Sequence, residues 1–153
     1  MSYKMDIKIS KVESCDVERL KIIAEESLFQ TVDSPEEEKQ RLLPHICKDI
    51  EHSVLQDDTI FLKAESAEIE GFILIKETWN LSQLFIAPPR QHQGVGGSLL
   101  DTAVQQIQCG DNKGCVKLNS SSNAVAFYAK RGFELDASRE PKSKWSVPMV
   151  LYF

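Results

Sequence analysis

Gln91-His92-Gln93-Gly94-Val95-Gly96-Gly97-Ser98 crowds three glycines into four positions of a 153-residue chain that holds only seven. Upstream, Asn80 to Ile86 reads as a strand, which Pro88 and Pro89 end by removing backbone donors and fixing φ. Downstream, Val95, Leu99, Leu100, Ala103, Val104 and Ile107 fall on one apolar stripe, which predicts an amphipathic helix. A glycine-rich turn at this junction offers unpaired N–H groups and the positive end of a helix dipole, a natural seat for a phosphate. Without a ligand, the same turn is simply a tight strand-to-helix connection. Two familiar phosphate loops are excluded. Gly96-Gly97-Ser98 lacks the Lys of Gly-Lys-Ser/Thr, and Leu99 stands where the dinucleotide fingerprint needs its third glycine.

Working outward, Met5, Ile7 and Ile9 alternate with polar residues and predict a first strand. Asp16 can cap a helix to about Thr31, with Val17, Leu20, Ile23, Ala24 and Leu28 on one face. Ser34-Pro35-Glu36-Glu37 reads as a second helix start, with Ser34 as cap, Pro35 at the first helical position and Glu37 closing a capping box. Pro44 is expected to kink or split that helix, which continues towards Leu55. Thr59–Ala64, Gly71–Lys76 and Asn80–Ile86 form a three-strand meander. Val116–Leu118 is a short strand, and Asn123–Lys130 a short helix ending at Gly132. Phe133–Ala137 and Ser146–Phe153 complete the sheet. The order β-α-α-β-β-β-α-β-α-β-β, without repeat or linker, predicts one α/β domain over residues 1–153, helices covering a mixed sheet.

Eighteen Lys plus Arg against 23 Asp plus Glu give a net charge of −5, which argues against nucleic acid or an anionic membrane as partner. Cys15, Cys47, Cys109 and Cys115 form no C-x-x-C pair, so buried or half-buried free thiols are expected. His45, His52 and His92 form no metal motif, and no metal is expected. Met1 to Ser10 lacks a hydrophobic signal core, and the longest apolar run, Gly71 to Ile75, is too short to span a bilayer. A cytoplasmic protein is the expectation.

Gln91-x-x-Gly94-x-Gly96 resembles the Gln/Arg-x-x-Gly-x-Gly/Ala acyl-CoA signature of GNAT-type N-acetyltransferases, and Leu84-Phe85-Ile86-Ala87-Pro88 is similar to the strand that leads into it. Further on, Asn119-Ser120-Ser121-Ser122-Asn123-Ala124-Val125-Ala126-Phe127-Tyr128, then Arg131-Gly132-Phe133, resembles that family's Asn-x-x-Ala-x-x-Phe-Tyr helix closing with Gly-Phe. Pro148-Met149 fits a common ending of the same family. The matching core runs from about Gly71 to Phe133. The resemblance implies a mostly antiparallel sheet of about seven strands flanked by four helices, with a splayed parallel pair at the acyl-CoA site. It also implies transfer of an acetyl group from acetyl-CoA, the acyl donor, to a primary amine by direct attack.

Carried residue by residue, the resemblance gives the main chain of Leu84, Phe85 and Ile86 to the pantetheine arm, with one amide polarising the thioester carbonyl. Read without it, the same segment is a buried strand. The amides of Gln91, His92, Gln93, Gly94, Val95, Gly96, Gly97 and Ser98 would hold the pyrophosphate, His92 as a phosphate-side or surface residue rather than a base. Asn119, Asn123 and Phe127 would also contact the cofactor, and Tyr128 would protonate the departing thiolate. A phenol with an ordinary pKa of about 10 is a donor at neutral pH. Tyr128 read alone is an aromatic packed beside Phe127.

Many family members carry a Glu on the strand before the loop; here Asn80-Leu81-Ser82-Gln83 has no carboxylate. Glu77 is the nearest candidate base, and its simpler reading is a solvated turn residue. A water chain or a base from the N-terminal helices is equally open. The acceptor, a small-molecule or peptide amine, would approach from the side of the N-terminal helices and the last two strands, with Trp79, Trp145 and Glu36-Glu37-Glu38 at its border. The alternative to an enzyme is a non-catalytic acyl-CoA-binding module. Members of the family are often dimers, so the resemblance makes a homodimer an option.

Overall fold

Phe72-Ile73-Leu74-Ile75 is wholly buried, each residue at 0% exposure, in the interior of the sheet. A strand with no polar alternation needs cover on both faces. Phe72 and Leu74 enter a core with Leu20, Ile23 and Ile50, while Ile73 and Ile75 enter another with Leu99, Leu100 and Ala103. Alternate side chains of one strand therefore feed two cores.

The structure, a computed structural model, describes residues 6–153. In chain order the elements are β1 (Lys8–Lys11), a 3-10 turn (Ser14–Asp16), α1 (Val17–Thr31), α2 (Glu36–Ser53), β2 (Ile60–Glu65), β3 (Ile69–Lys76) and β4 (Asn80–Ile86). A 3-10 turn (Pro88–Arg90), α3 (Val95–Gln108), β5 (Cys115–Ser121), a 3-10 turn (Ser122–Ala124), α4 (Val125–Lys130), β6 (Glu134–Leu135) and β7 (Ser146–Tyr152) follow. The seven strands lie in the order β1-β2-β3-β4-β5-β7-β6, antiparallel throughout except for the parallel pair β4/β5. This is the expected α/β architecture of seven strands and four helices. Of the predicted first strand, Met5 lies outside the described residues.

Local details depart from the sequence reading where side chains find better partners. Asp16 stands just before α1 but does not cap it. Its Oδ2 accepts the Glu13 N–H at 2.8 Å and pairs with Lys63 Nζ at 2.6 Å. The carboxyl is buried, which alone would raise its pKa, yet the Lys63 ammonium and the Glu13 amide hold it below the usual range. At the second helix Pro35, not Ser34, is the N-cap, and the buried Ser34 Oγ has no partner. Glu37 closes no box, and the three glutamates of the first turn act through the helix dipole instead. Pro44 does not split α2, which runs unbroken from Glu36 to Ser53 with Pro44 exposed. β5 is longer than its apolar part, because Asn119, Ser120 and Ser121 continue the ladder to Pro148, Val147 and Ser146. β6 is shorter than predicted, only Glu134–Leu135. Cys15 and Cys109 are exposed rather than buried; Cys47 and Cys115 are half-buried. Among the described residues no helix is long and apolar enough to cross a membrane.

Candidate functional site

β4 and β5 share a single register pair, Asn80 with Lys117, tied by the Lys117 N–H to the Trp79 carbonyl at 2.7 Å. Beyond it each strand follows its other neighbour. β4 stays on β3 out to Ile86 opposite Gly71, and β5 stays on β7 out to Ser121 opposite Ser146. The sheet therefore opens as a fork, with Asn80 and Lys117 at its closed end. Strand edges that face each other without a ladder carry main-chain donors and acceptors able to receive an extended ligand. Leu84 and Ile86 pack into the α3 core and Phe85 into the α1 core, so the side chains hold the strand while its backbone edge remains at the fork.

β4 also carries a bulge. Leu74 pairs with Gln83 and Ile75 with Leu81, leaving Ser82 as the extra residue. The two consecutive side chains Ser82 and Gln83 consequently both reach α2, at Asp49 and at the Ile46 carbonyl.

At the open end of the fork, Pro88–Arg90 turns the chain and the glycine loop enters α3. His92 and Gly94 have φ of 63° and 85°, and Gly94 is the N-cap. The three clustered glycines answer to different needs. A Cβ at Gly94 would meet nothing within 4 Å, so its backbone conformation is what calls for glycine. A Cβ at Gly97 would fall 1.9 Å from Arg131 Nη2, so this glycine seats the guanidinium. Arg131 is held there by Asp101 at 2.6 Å and by the Phe127 ring, 5.7 Å from centroid to Cζ. A Cβ at Gly96 would make only ordinary contacts, 3.5 Å to Phe127 Cζ and 3.6 Å to Ile86 Cγ1. The protein's own packing does not require glycine at Gly96, whereas a ligand resting on the first turn of α3 would. The 14-residue α3 presents its leading N–H groups and its positive dipole end at that point.

Gln91 braces the loop: its Nε2 donates to the Ile86 carbonyl at 3.1 Å and reaches Thr31 Oγ1 at 3.3 Å and Ser27 Oγ at 3.4 Å. Gln93 Nε2 donates to the Pro89 carbonyl at 3.1 Å, while Val95 is buried and His92 and Ser98 are exposed. Asn123 Nδ2 donates to the Thr31 carbonyl at 2.6 Å, and Ser122 Oγ donates to Asp33 Oδ2 at 3.1 Å, clasping the end of α1 to the start of α4. Asn119 Oδ1 accepts from Arg139 Nη1 at 3.3 Å. Arg139 also donates to the Leu118 and Met149 carbonyls and to Asp136, pinning β5, β7 and the segment that follows β6 together. That guanidinium, with Ser138, holds the Asp136 carboxyl down at about 2.

Tyr128 is 8% exposed and edge-packed on Phe127 and Phe133, with centroids 5.1 and 5.5 Å away. Burial drives its hydroxyl far above the ordinary phenol range, so it is a standing proton donor at neutral pH. Glu77 lies in the β3–β4 turn, exposed, with φ 55°. Glu77 is thus beside the fork's closed end, on the solvent side of the hairpin. The bulge at Ser82 and the α2 carboxylate Asp49 escaped the sequence reading. Its signal was there: Leu81 and Leu84, three apart, share one core, which a strand without a bulge cannot arrange.

Comparison with solved structures gives the same fold. A PaiA N-acetyltransferase from Thermoplasma acidophilum in complex with coenzyme A has a TM-score of 0.81 at 23% identity, covering 97% of this chain and 100% of that one. A GCN5-related N-acetyltransferase from Rhodopseudomonas palustris has a TM-score of 0.80 at 21% identity, covering 100% of both chains. A spermidine N-acetyltransferase SpeG chimera from Vibrio cholerae and hSSAT has a TM-score of 0.67 at 14% identity, covering 95% of each. No curated protein sequence matches the chain. The family model described as "Acetyltransferase (GNAT) domain" matches residues 30–153. That match takes in everything from α2 to β7, and the chain therefore belongs to the GNAT acetyltransferase family.

Proposed function

We propose that the protein is an N-acetyltransferase that moves an acetyl group from acetyl-CoA to a primary amine by direct attack. The observation that carries this is the fork: parallel strands joined by one register pair, opening onto a glycine-entered helix N-terminus. The backbone edge of Leu84, Phe85 and Ile86 would take the pantetheine arm, and the amides around Gly96 the pyrophosphate. Asn119, Asn123 and Phe127 border this path. Acetyl-CoA supplies the activated thioester, and the chain supplies placement and proton handling.

Tyr128 acts on the leaving sulfur. A thiol of ordinary pKa, about 8.5, is more acidic than this phenol, so complete transfer of the Tyr128 proton to the thiolate is uphill. Its contribution is a hydrogen bond that strengthens as charge grows on sulfur, while the attacking nitrogen provides the proton that ends there. The net charge of −5 supports a cationic acceptor, a small-molecule or peptide amine, and we place the reaction in the cytoplasm.

One observation favours the rival reading of a non-catalytic acyl-CoA-binding module: Asn80–Gln83 carries no carboxylate. An assay of CoA release against a panel of amines, with spermidine and a lysine peptide among them, separates the two. Amine-dependent thiol release is the expected result. Acetyl-CoA binding without release for any amine would establish the module instead.

A further inference from the structure

We infer that Asp49, on α2, is the carboxylate that receives the acceptor's ammonium and takes its proton. The inference rests on the acetyl-transfer reading above and concerns the base that this reading lacks. The β4 bulge sets Ser82 two residues past the last β4–β5 pair, where the fork begins to open. Ser82 Oγ faces Asp49 Oδ2 at 3.5 Å, the outer limit of hydrogen-bond reach, which leaves that carboxylate oxygen with lone pairs unspent. The other oxygen pairs with Lys76 Nζ at 2.8 Å, fixing the carboxylate's orientation. One turn earlier on α2, the Ile46 carbonyl accepts from Gln83 Nε2 at 3.1 Å, and the Gln83 Oε1 is buried without a partner. Asp49 Oδ2 is thus an acceptor with spare capacity beside the bulge, one that an ammonium N–H can use. Asp49 retains 40% side-chain exposure, so an acceptor can reach it from solvent. Glu77, by contrast, is an exposed residue of the β3–β4 turn.

The charged surroundings are few. Lys76 comes from β3, and β4 offers only the neutral Ser82 and Gln83. On α2 itself His45 and His52 lie four before and three after Asp49. From α1, Lys21 is engaged by Glu51 and Glu18. The step balances simply. The ammonium gives one proton to Asp49, directly or through Ser82 Oγ, which passes its own proton on. The neutral nitrogen then bonds to the thioester carbonyl carbon, the C–S bond breaks, and the nitrogen's second proton ends on the sulfur. Asp49 releases its proton to water, so the products are one amide, one thiol and one proton.

The test is the pH dependence of kcat/KM for Asp49→Asn, Asp49→Glu and Glu77→Gln, using the best amine of the panel, with acetyl-CoA affinity measured by calorimetry. Asp49→Asn is expected to lose about 10²–10³-fold at pH 7, the usual worth of a general base. It should then recover to within about tenfold of wild type near pH 9.5, as the amine neutralises itself. Asp49→Glu should restore part of the rate at pH 7, and acetyl-CoA affinity should not change in any of the variants. A loss in Asp49→Asn that is equal at every pH would make Asp49 a structural residue and overturn the proposal. So would a normal Asp49→Asn profile, or loss of the neutral-pH rate in Glu77→Gln alone. Failure of the underlying reading is distinct: the wild-type protein itself would then release no CoA with any amine.

Discussion

β4 meets two neighbours in opposite ways. Against β3 it forms a ladder from Asn80 to Ile86, interrupted only by the Ser82 bulge, while against β5 it has one pair and then an opening. The ladder satisfies its main-chain groups internally and is covered by two cores. The fork leaves corresponding groups for something else. Stability and function are thus divided between the two edges of a single strand, and substitutions should divide the same way. Changes in the laddered part should cost stability and spare ligand binding, and changes at the fork should do the reverse.

The largest expected effect lies in the laddered half of the sheet, on β2. Lys63 and Asp16 form a buried ion pair, their side chains 9% and 10% exposed. Lys63→Met strands the carboxylate and should destabilise the fold by about 3 kcal/mol in denaturant titration, with acetyl-CoA affinity unchanged. The pair also has a pH signature. Asp16 is depressed below 3.8 and Lys63 is raised above 10.5, chiefly by their mutual hydrogen bond against opposing burial. Its stabilisation is therefore present between these values, lost as pH falls through the folded Asp16 pKa and lost again as pH rises through the folded Lys63 pKa. The wild-type stability profile should show both losses, and Lys63→Met should lack the alkaline one.

Next comes the fork itself. Tyr128→Phe keeps the ring contacts with Phe127 and Phe133 and removes only the donor. It should lower kcat by about 10²-fold while leaving the melting temperature and acetyl-CoA affinity nearly unchanged. A fall in stability with unaltered kcat would put Tyr128 on the packing side of the comparison.

The smallest effects separate the glycines. Gly94→Ala forces a side chain into φ 85° and should cost about 1–2 kcal/mol of stability. Gly97→Ala pushes only the mobile end of Arg131, and the better helix propensity of Ala, worth about 1 kcal/mol, offsets the lost Asp101 pairing. Its net change should be under about 1 kcal/mol by the same denaturant titration.

The parts of the molecule legible in the sequence were those where local pattern and tertiary role agree. Val95 to Ile107 reads as an amphipathic helix because its stripe faces a core, and Gly71 to Ile75 is the longest apolar run because both faces of β3 are buried. The glycine loop was visible because strand, prolines, glycines and helix follow one another along the chain. What escaped depends on partners distant in sequence. Asp16 looks like a cap until Lys63, 47 residues away, claims its carboxylate. Asn119–Ser121 look like loop until β7 supplies the ladder. Asp49 is one of many acidic residues on a polar helix face, and only the bulge at Ser82 singles it out. Arg139, which ties β5 to β7, has no local signature at all.

The central claim, that the fork and its glycine loop are built for an acyl-CoA, is tested most directly by titrating acetyl-CoA calorimetrically into the wild-type protein and into Gly96→Glu. A Cβ at Gly96 would make only ordinary van der Waals contacts, with Phe127 and Ile86, and the melting temperature of the variant checks that it folds. Its carboxylate would nevertheless occupy the anion seat at the α3 N-terminus. Saturable binding by the wild type, weakened at least about 100-fold (near 2.7 kcal/mol) in Gly96→Glu at equal melting temperature, is the predicted result. Absence of binding to the wild type, or equal affinity in the two proteins, would contradict it.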